Sequence, residues 1–296
     1  MFFRKKKEYR PEGLDRIAAD IQRKYSSEAY QKYPEFEKDL RYRIDDDLDY
    51  QLSRILYRSP LYEFSIEPNT TITPSNFIHD GFYPYYTVQD VKILFIGREA
   101  YQMDANNYID VMFPQIQSGV TRRNANSKGK PIDEDPFYAA QMYIAYSILH
   151  DCMPYEQVPW AEDFCSSFGT ENGISFAFMN MNKFSSWSNT WNTNWELMDA
   201  YIETAVNDNT NHIEDEICNL KPDIIISMGF EYDRLAALGG ILTEKLENSS
   251  SITNVHHLTM LGQMIPVLDT YHFSKPGKLD AICKDVIARA KEELGL

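Results

Sequence analysis

The sequence predicts an α/β protein: a central, mostly parallel four-stranded sheet sandwiched by helices, with an N-terminal helical extension. Three observations carry this prediction. Four short apolar runs recur after residue 88: VKILFIG (91–97), ISFAFMN (174–180), DIIISMG (223–229) and IPVLDTYH (265–272). These runs are continuous rather than alternating, as expected of strands buried on both faces. Helical segments lie between most of them, and strand–helix alternation builds a parallel sheet through right-handed crossovers.

In chain order, GLDRIAADIQRKY and FEKDLRYRIDDDLDYQLSRILY place apolar residues at three- and four-residue spacing, predicting two helices within residues 12–57. Residues 59–87 are rich in Pro, Asn, Thr and Tyr and read as irregular connection. The expected division is therefore 1–87 for the helical extension and connection, and 88–296 for the α/β domain. After the first strand, PFYAAQMYIAYSILH is a helix. WELMDAYIETA continuing towards IEDEICNLK is the next, YDRLAALGGILTEKL follows the third strand, and GKLDAICKDVIARAKEELG closes the chain. VHHLTML (255–261) is a candidate further strand.

A formal net charge of −15 sets a condition on partners. Such a chain is repelled by nucleic acid unless its cations are concentrated locally. Two stretches concentrate them: Arg4-Lys5-Lys6-Lys7, and the loop TRRNANSKGKP with Arg122, Arg123, Lys128 and Lys130. The four cysteines, Cys152, Cys165, Cys218 and Cys283, form no CxxC pair and have no histidine at ligand spacing, so neither a disulfide framework nor a metal site is expected. No apolar stretch approaches the ~20 residues of a bilayer span, and MFFRKKKEYR lacks a signal-peptide core. An intracellular protein is expected.

Parallel sheets bind ligands beyond the carboxyl ends of their strands. The four strand ends deliver Gly97-Arg98-Glu99-Ala100-Tyr101, then Asn180-Met181-Asn182-Lys183, then Gly229-Phe230-Glu231, then His272-Phe273-Ser274. A carboxylate steadies a cation or orients water, an amide reads one edge of a base or of another amide, and an imidazole donates to developing negative charge. GREAYQ matches neither GxGxxG nor the GxxxxGK[ST] phosphate loop. The chain also lacks a GxSxG elbow and the HxE…CxxC pattern of zinc deaminases.

The order strand-GREAY, strand-MNMNK, strand-G, strand-HFS resembles the uracil-DNA glycosylase superfamily, whose best-known branch carries GQDPYH, a base-reading Asn and HPS. The resemblance covers roughly residues 88–296. It implies that Gly97 is the motif glycine, that Glu99 takes the place of the water-orienting Asp, and that Tyr101 lines the base pocket. It further implies that Asn180, or its neighbour Asn182, reads the base, that His272 stabilises the departing base, and that Ser274 contacts backbone phosphate. Either Phe113 or Tyr108 takes the stacking role. Arg122, Arg123, Lys183 and Lys275 are the expected DNA-backbone contacts. Arg98, a further candidate for binding the base, stands where the family carries a neutral residue, Glu99 is longer than Asp by a methylene, and Phe273 replaces the motif proline. The resemblance implies a DNA glycosylase acting on uracil or another modified base, with DNA as partner and no metal or cofactor. Two alternatives stay open: a non-catalytic module binding a base, nucleotide or protein, and a hydrolase of small nucleosides.

Overall fold

The computed structural model describes residues 65–67, 70, 71, 78, 80–103, 108–122, 127–186, 192–206 and 211–296. The two helices expected within 12–57 lie outside the described residues. The first strands, β1 (Ser65–Glu67) and β2 (Thr70–Thr71), pair antiparallel with each other. The main sheet uses β3 (Gly81–Phe82) and β4 (Ile93–Tyr101). β5 (Val120–Thr121) and β6 (Lys130–Pro131) form a separate hairpin. β7 (Ala177–Ser186), β8 (Ile224–Met228), β9 (Ile241–Leu242), β10 (Thr253–Met260) and β11 (Gln263–Thr270) complete the main sheet.

That sheet has seven strands in the order β3-β7-β4-β8-β11-β10-β9. The four expected strands are its centre, β7-β4-β8-β11, and each adjacent pair among them is parallel. The expectation of four strands falls short because antiparallel strands extend both sides. β3 pairs with β7, β10 pairs with β11, and β9 pairs with β10. The β10–β11 hairpin turns on Leu261 and Gly262, whose φ values of 51° and 77° give a two-residue turn matched to strand twist.

Helices cover both faces. Ile93 and Phe95 of β4 point into the core under α1 (Tyr108–Gln117), α2 (Pro136–Ile148) and the short α3 (Ala161–Phe164). Leu94 and Ile96 point the other way, towards α4 (Trp195–Ala205) and α5 (His212–Leu220). This two-sided burial is the physical reason the strand runs read as continuously apolar. The expected single helix from 195 towards 221 is two helices, each opened by an asparagine cap: Asn194 accepts from Leu197 N–H and Asn211 from Glu214 N–H. The helix expected over 232–246 shrinks to α6 (Tyr232–Leu235) and one 3-10 turn. Gly239 and Gly240, at φ 85° and 56°, end it and lead into β9. The final helix, α7 (Leu279–Leu294), returns beneath β11 on the α2 face.

Part of the stretch assigned to the connection belongs to the domain. Phe82 and Tyr86 are buried against the α4–α5 face and Tyr83 against the other, while Asp80 is buried among polar partners of β7. No helix among the described residues is long and apolar enough to cross a membrane.

Candidate active site

The polar tail of the first apolar run is not a turn. β4 continues through Gly97-Arg98-Glu99-Ala100-Tyr101, and β7 continues beside it to Ser186. Gly97 faces Asn180 and Glu99 faces Asn182 across the parallel pair, before an irregularity shifts the register at Tyr101. Polar side chains are thus carried on ladder-bonded strands, which hold them more rigidly than loops do. Here a cavity of about 550 Å³ opens, with Glu99, Asn180 and His272 all in its wall. Its size suits a small organic ligand.

Glu99 is held half out of water. Its Oε1 accepts from Asn194 N–H at 3.3 Å, at the start of α4. Its Oε2 is buried with no hydrogen-bond partner among the described residues. Burial raises its pKa to about 7, against the smaller opposing pull of the Asn194 N–H and the Arg98 charge. No cation lies within ion-pair distance of it among the described residues, so Glu99 is not neutralised by Arg98.

His272 follows β11 and is fixed from two sides. Ser274 N–H donates to Nδ1 at 3.2 Å, so the neutral ring carries its proton on Nε2. The Phe137 ring stacks on the imidazole at 5.7 Å and 27°. Burial, then the charge of Arg98, lowers its pKa to about 4. At neutral pH His272 is a neutral imidazole with one N–H to give.

Asn180 is 2% exposed, and Asp80 sets its orientation. Asp80 accepts from the Asn180 backbone N–H at 2.6 Å and from Nδ2 at 3.1 Å. A carboxylate is acceptor-only when ionised, so Asp80 can bond Nδ2 but not Oδ1, which fixes which way the amide points. Lys183 stands behind Asp80, with its Nζ 2.7 Å from Asp80 Oδ2 and 2.7 Å from Glu216 Oε2. Burial works against the Lys183 charge, but the two carboxylates outweigh it and raise its pKa. Gly97 is required opposite: a Cβ there would sit 2.7 Å from Phe178 Cζ and 3.0 Å from Asn180 Oδ1.

Arg98 lines the same cavity. Its Nε donates to Met228 O at 3.0 Å, Nη2 to Gly229 O at 3.0 Å, and Nη1 to Thr193 Oγ1 at 3.3 Å. Its guanidinium lies 4.8 Å from the Trp195 ring centre. Asp269 fixes the receiving turn by accepting from Gly229 N–H and Phe230 N–H.

Several sequence expectations are corrected here. Lys183 is no backbone clamp: at 3% exposed it belongs to the buried network behind Asn180. Asn182 is absent from the cavity wall; its Oδ1 accepts from Phe184 N–H on its own strand. Phe113 packs against Tyr83 and Phe168 rather than facing the cavity, whereas Tyr108 faces it, stacked on Phe178 at 4.7 Å. Arg122 is exposed on the β5–β6 hairpin and is not part of the wall; Arg123 lies outside the described residues. Tyr101, Ser274 and Lys275 do line it. Phe273, in place of the motif proline, is buried against Phe95 and Phe137. Of the Trp-rich loop, Trp187 and Trp191 lie outside the described residues, and Trp195 opens α4 beneath Arg98.

Sequence reasoning missed Phe137 and Asp80. Phe137 had a readable local signal, since Asp135-Pro136 is a helix start with proline in the first turn, but nothing local says which way its ring turns. Asp80 sits in an irregular stretch about a hundred positions from its partner and carries no such signal. Among the described residues no group of three or more His, Cys, Asp or Glu side chains could hold a metal. No protein-family model, curated protein or solved structure matches this chain.

Proposed function

We propose that this protein hydrolyses the N-glycosidic bond of uracil or another modified base in DNA. The observation that carries the reading is the meeting of Glu99 on β4, Asn180 on β7 and His272 just after β11 in the wall of one cavity.

Breaking this bond places positive charge on the sugar and negative charge on the base, so a catalyst opposes both. In this reading ionised Glu99 steadies the sugar cation and accepts a proton from the attacking water. Neutral His272 gives its Nε2 proton as a hydrogen bond to the base oxygen that gains charge. Asn180, with one Nδ2 hydrogen taken by Asp80, offers its remaining N–H and its Oδ1 to the base. That adjacent donor and acceptor fit an oxo-and-N–H edge, as uracil has, and mismatch the amino-and-bare-nitrogen edge of cytosine. Tyr108 and Phe137 supply aromatic walls. The experiment is a panel of single- and double-stranded oligonucleotides bearing different modified bases, assayed for abasic sites. Abasic-site formation on bases with the oxo-and-N–H edge supports the reading, and its absence across the panel refutes it.

A second reading, hydrolysis of a free nucleoside, is favoured by two observations. Lys183, an expected DNA contact, is internal, and the chain is strongly acidic. Including deoxyuridine in the panel separates the two, since a nucleoside hydrolase cleaves it faster than the oligonucleotides.

A further inference from the structure

Arg98 has no part in the mechanism above, yet it carries a partly buried charge in the cavity wall. A guanidinium removed from water is expensive unless a carboxylate neutralises it. Lys183, Arg234, Lys284 and Arg289 each reach a carboxylate within 4.0 Å. Arg98 reaches none among the described residues. Its three hydrogen-bond acceptors are two carbonyl oxygens and a hydroxyl, all neutral. Glu99 and Asp269 act on it only through space, and Arg234 opposes them. Among the described residues the charge is therefore held rigidly by neutral acceptors, with no carboxylate in direct contact.

Its position matters as much as its charge. Gly229 has φ 75° and no side chain, and a Cβ there would lie 2.9 Å from Arg98 Nη2 and 3.6 Å from the backbone nitrogen of His272. The Arg98 guanidinium and the His272 backbone thus lie beside one glycine, both residues line the cavity, and the Arg98 charge acts on the His272 ring. We propose that Arg98 is a catalytic residue whose fixed positive charge, beside His272, stabilises the base as it leaves with the glycosidic electron pair. This rests on the N-glycosidic reading. In the step, the C1′–N bond breaks and its pair stays on the base nitrogen, while a water oxygen bonds to C1′. Glu99 takes the proton that water loses and returns one to solvent, and the base anion takes one from solvent. His272 keeps its own proton throughout. A neutral imidazole supplies only a hydrogen bond, and the guanidinium adds a full charge that needs no reorganisation during the reaction.

The test compares leaving groups. Single-turnover base release is measured for the native protein, R98Q and R98K on oligonucleotides carrying uracil or 5-fluorouracil, whose fluorine makes the departing anion more stable. R98Q is expected to slow uracil release by on the order of 10²–10³-fold with KM changed less than about threefold, and to slow 5-fluorouracil release at least about tenfold less. R98K, which keeps the charge, is expected to recover most of the rate. Equal losses on both bases overturn the proposal, because a purely structural arginine is blind to the leaving group. Should R98Q fail to fold, R98K decides alone: release of both bases close to the native rate supports the proposal, and a large loss that is equal on both bases overturns it. A native protein that releases neither base removes the N-glycosidic reading itself, whereas native activity with equal losses removes only the role of Arg98.

Discussion

Glu99 joins two properties that pull in opposite directions. Its folded pKa of about 7 lies above the usual 4.5, so the fold binds its proton more tightly than the unfolded chain does. The stability this gives is fully present below 4.5 and is lost as pH rises through about 7. Glu99→Gln is therefore expected to melt higher than the native protein at pH 8, with the gap closing near pH 4, as followed by calorimetry. The same substitution is expected to slow base release by on the order of 10²–10⁴-fold. Because the proposed mechanism needs ionised Glu99 and neutral His272, the rate is expected to rise about tenfold per pH unit and to level off above about 7. A rate that falls over that range would reverse the role assigned to the carboxylate. Gly97 gives a second test at this scale. Gly97→Ala forces a Cβ against Phe178 and Asn180, an overpacking expected to cost about 1–3 kcal/mol in urea denaturation and to raise KM by displacing the amide.

At the scale of elements, the extensions of β4 and β7 turn a strand end into a site. The apolar half of each strand was legible because burial on both faces leaves an unbroken hydrophobic run. Their polar halves were not legible as strand: nothing in REAY or NKFSS tells a ladder-bonded extension from a loop. The convergence of Glu99, Asn180 and His272 followed from the strand order, while the roles of Lys183 and Asp80 did not. A lysine after an asparagine reads as exposed until the topology brings two carboxylates to it. α6 was misread because apolar spacing masked the Gly239-Gly240 stop. The buried Asp80–Lys183–Glu216 set carries a sharp prediction. Lys183→Met leaves two buried carboxylates facing each other and is expected to cost about 3–5 kcal/mol in urea denaturation. Adding Asp80→Asn and Glu216→Gln is expected to restore most of that stability. The triple variant is not expected to recover base selectivity, because an amide at position 80 no longer dictates which way Asn180 points.

For the whole molecule the dominant quantity is the excess of acid, 44 Asp and Glu against 29 Lys and Arg. Among the described residues, Arg98 and Lys275 are the cationic side chains in the cavity wall. With so few phosphate contacts, binding to a uracil-containing single strand is expected to weaken only gently with salt, with a log–log slope of about −1 to −2 by fluorescence anisotropy. A slope several-fold steeper would require cations beyond those in the cavity wall. The account rests on the chemistry of one cavity, and one measurement addresses it directly: chromatographic detection of free uracil released from a uracil-bearing oligonucleotide and from deoxyuridine, by the native protein and by folded Glu99→Ala and His272→Ala variants. The account predicts free uracil and an intact abasic sugar from at least one of the two substrates, with each variant slower by on the order of 10²-fold or more. Native protein that leaves both substrates whole, or variants that release uracil at the native rate, would contradict it.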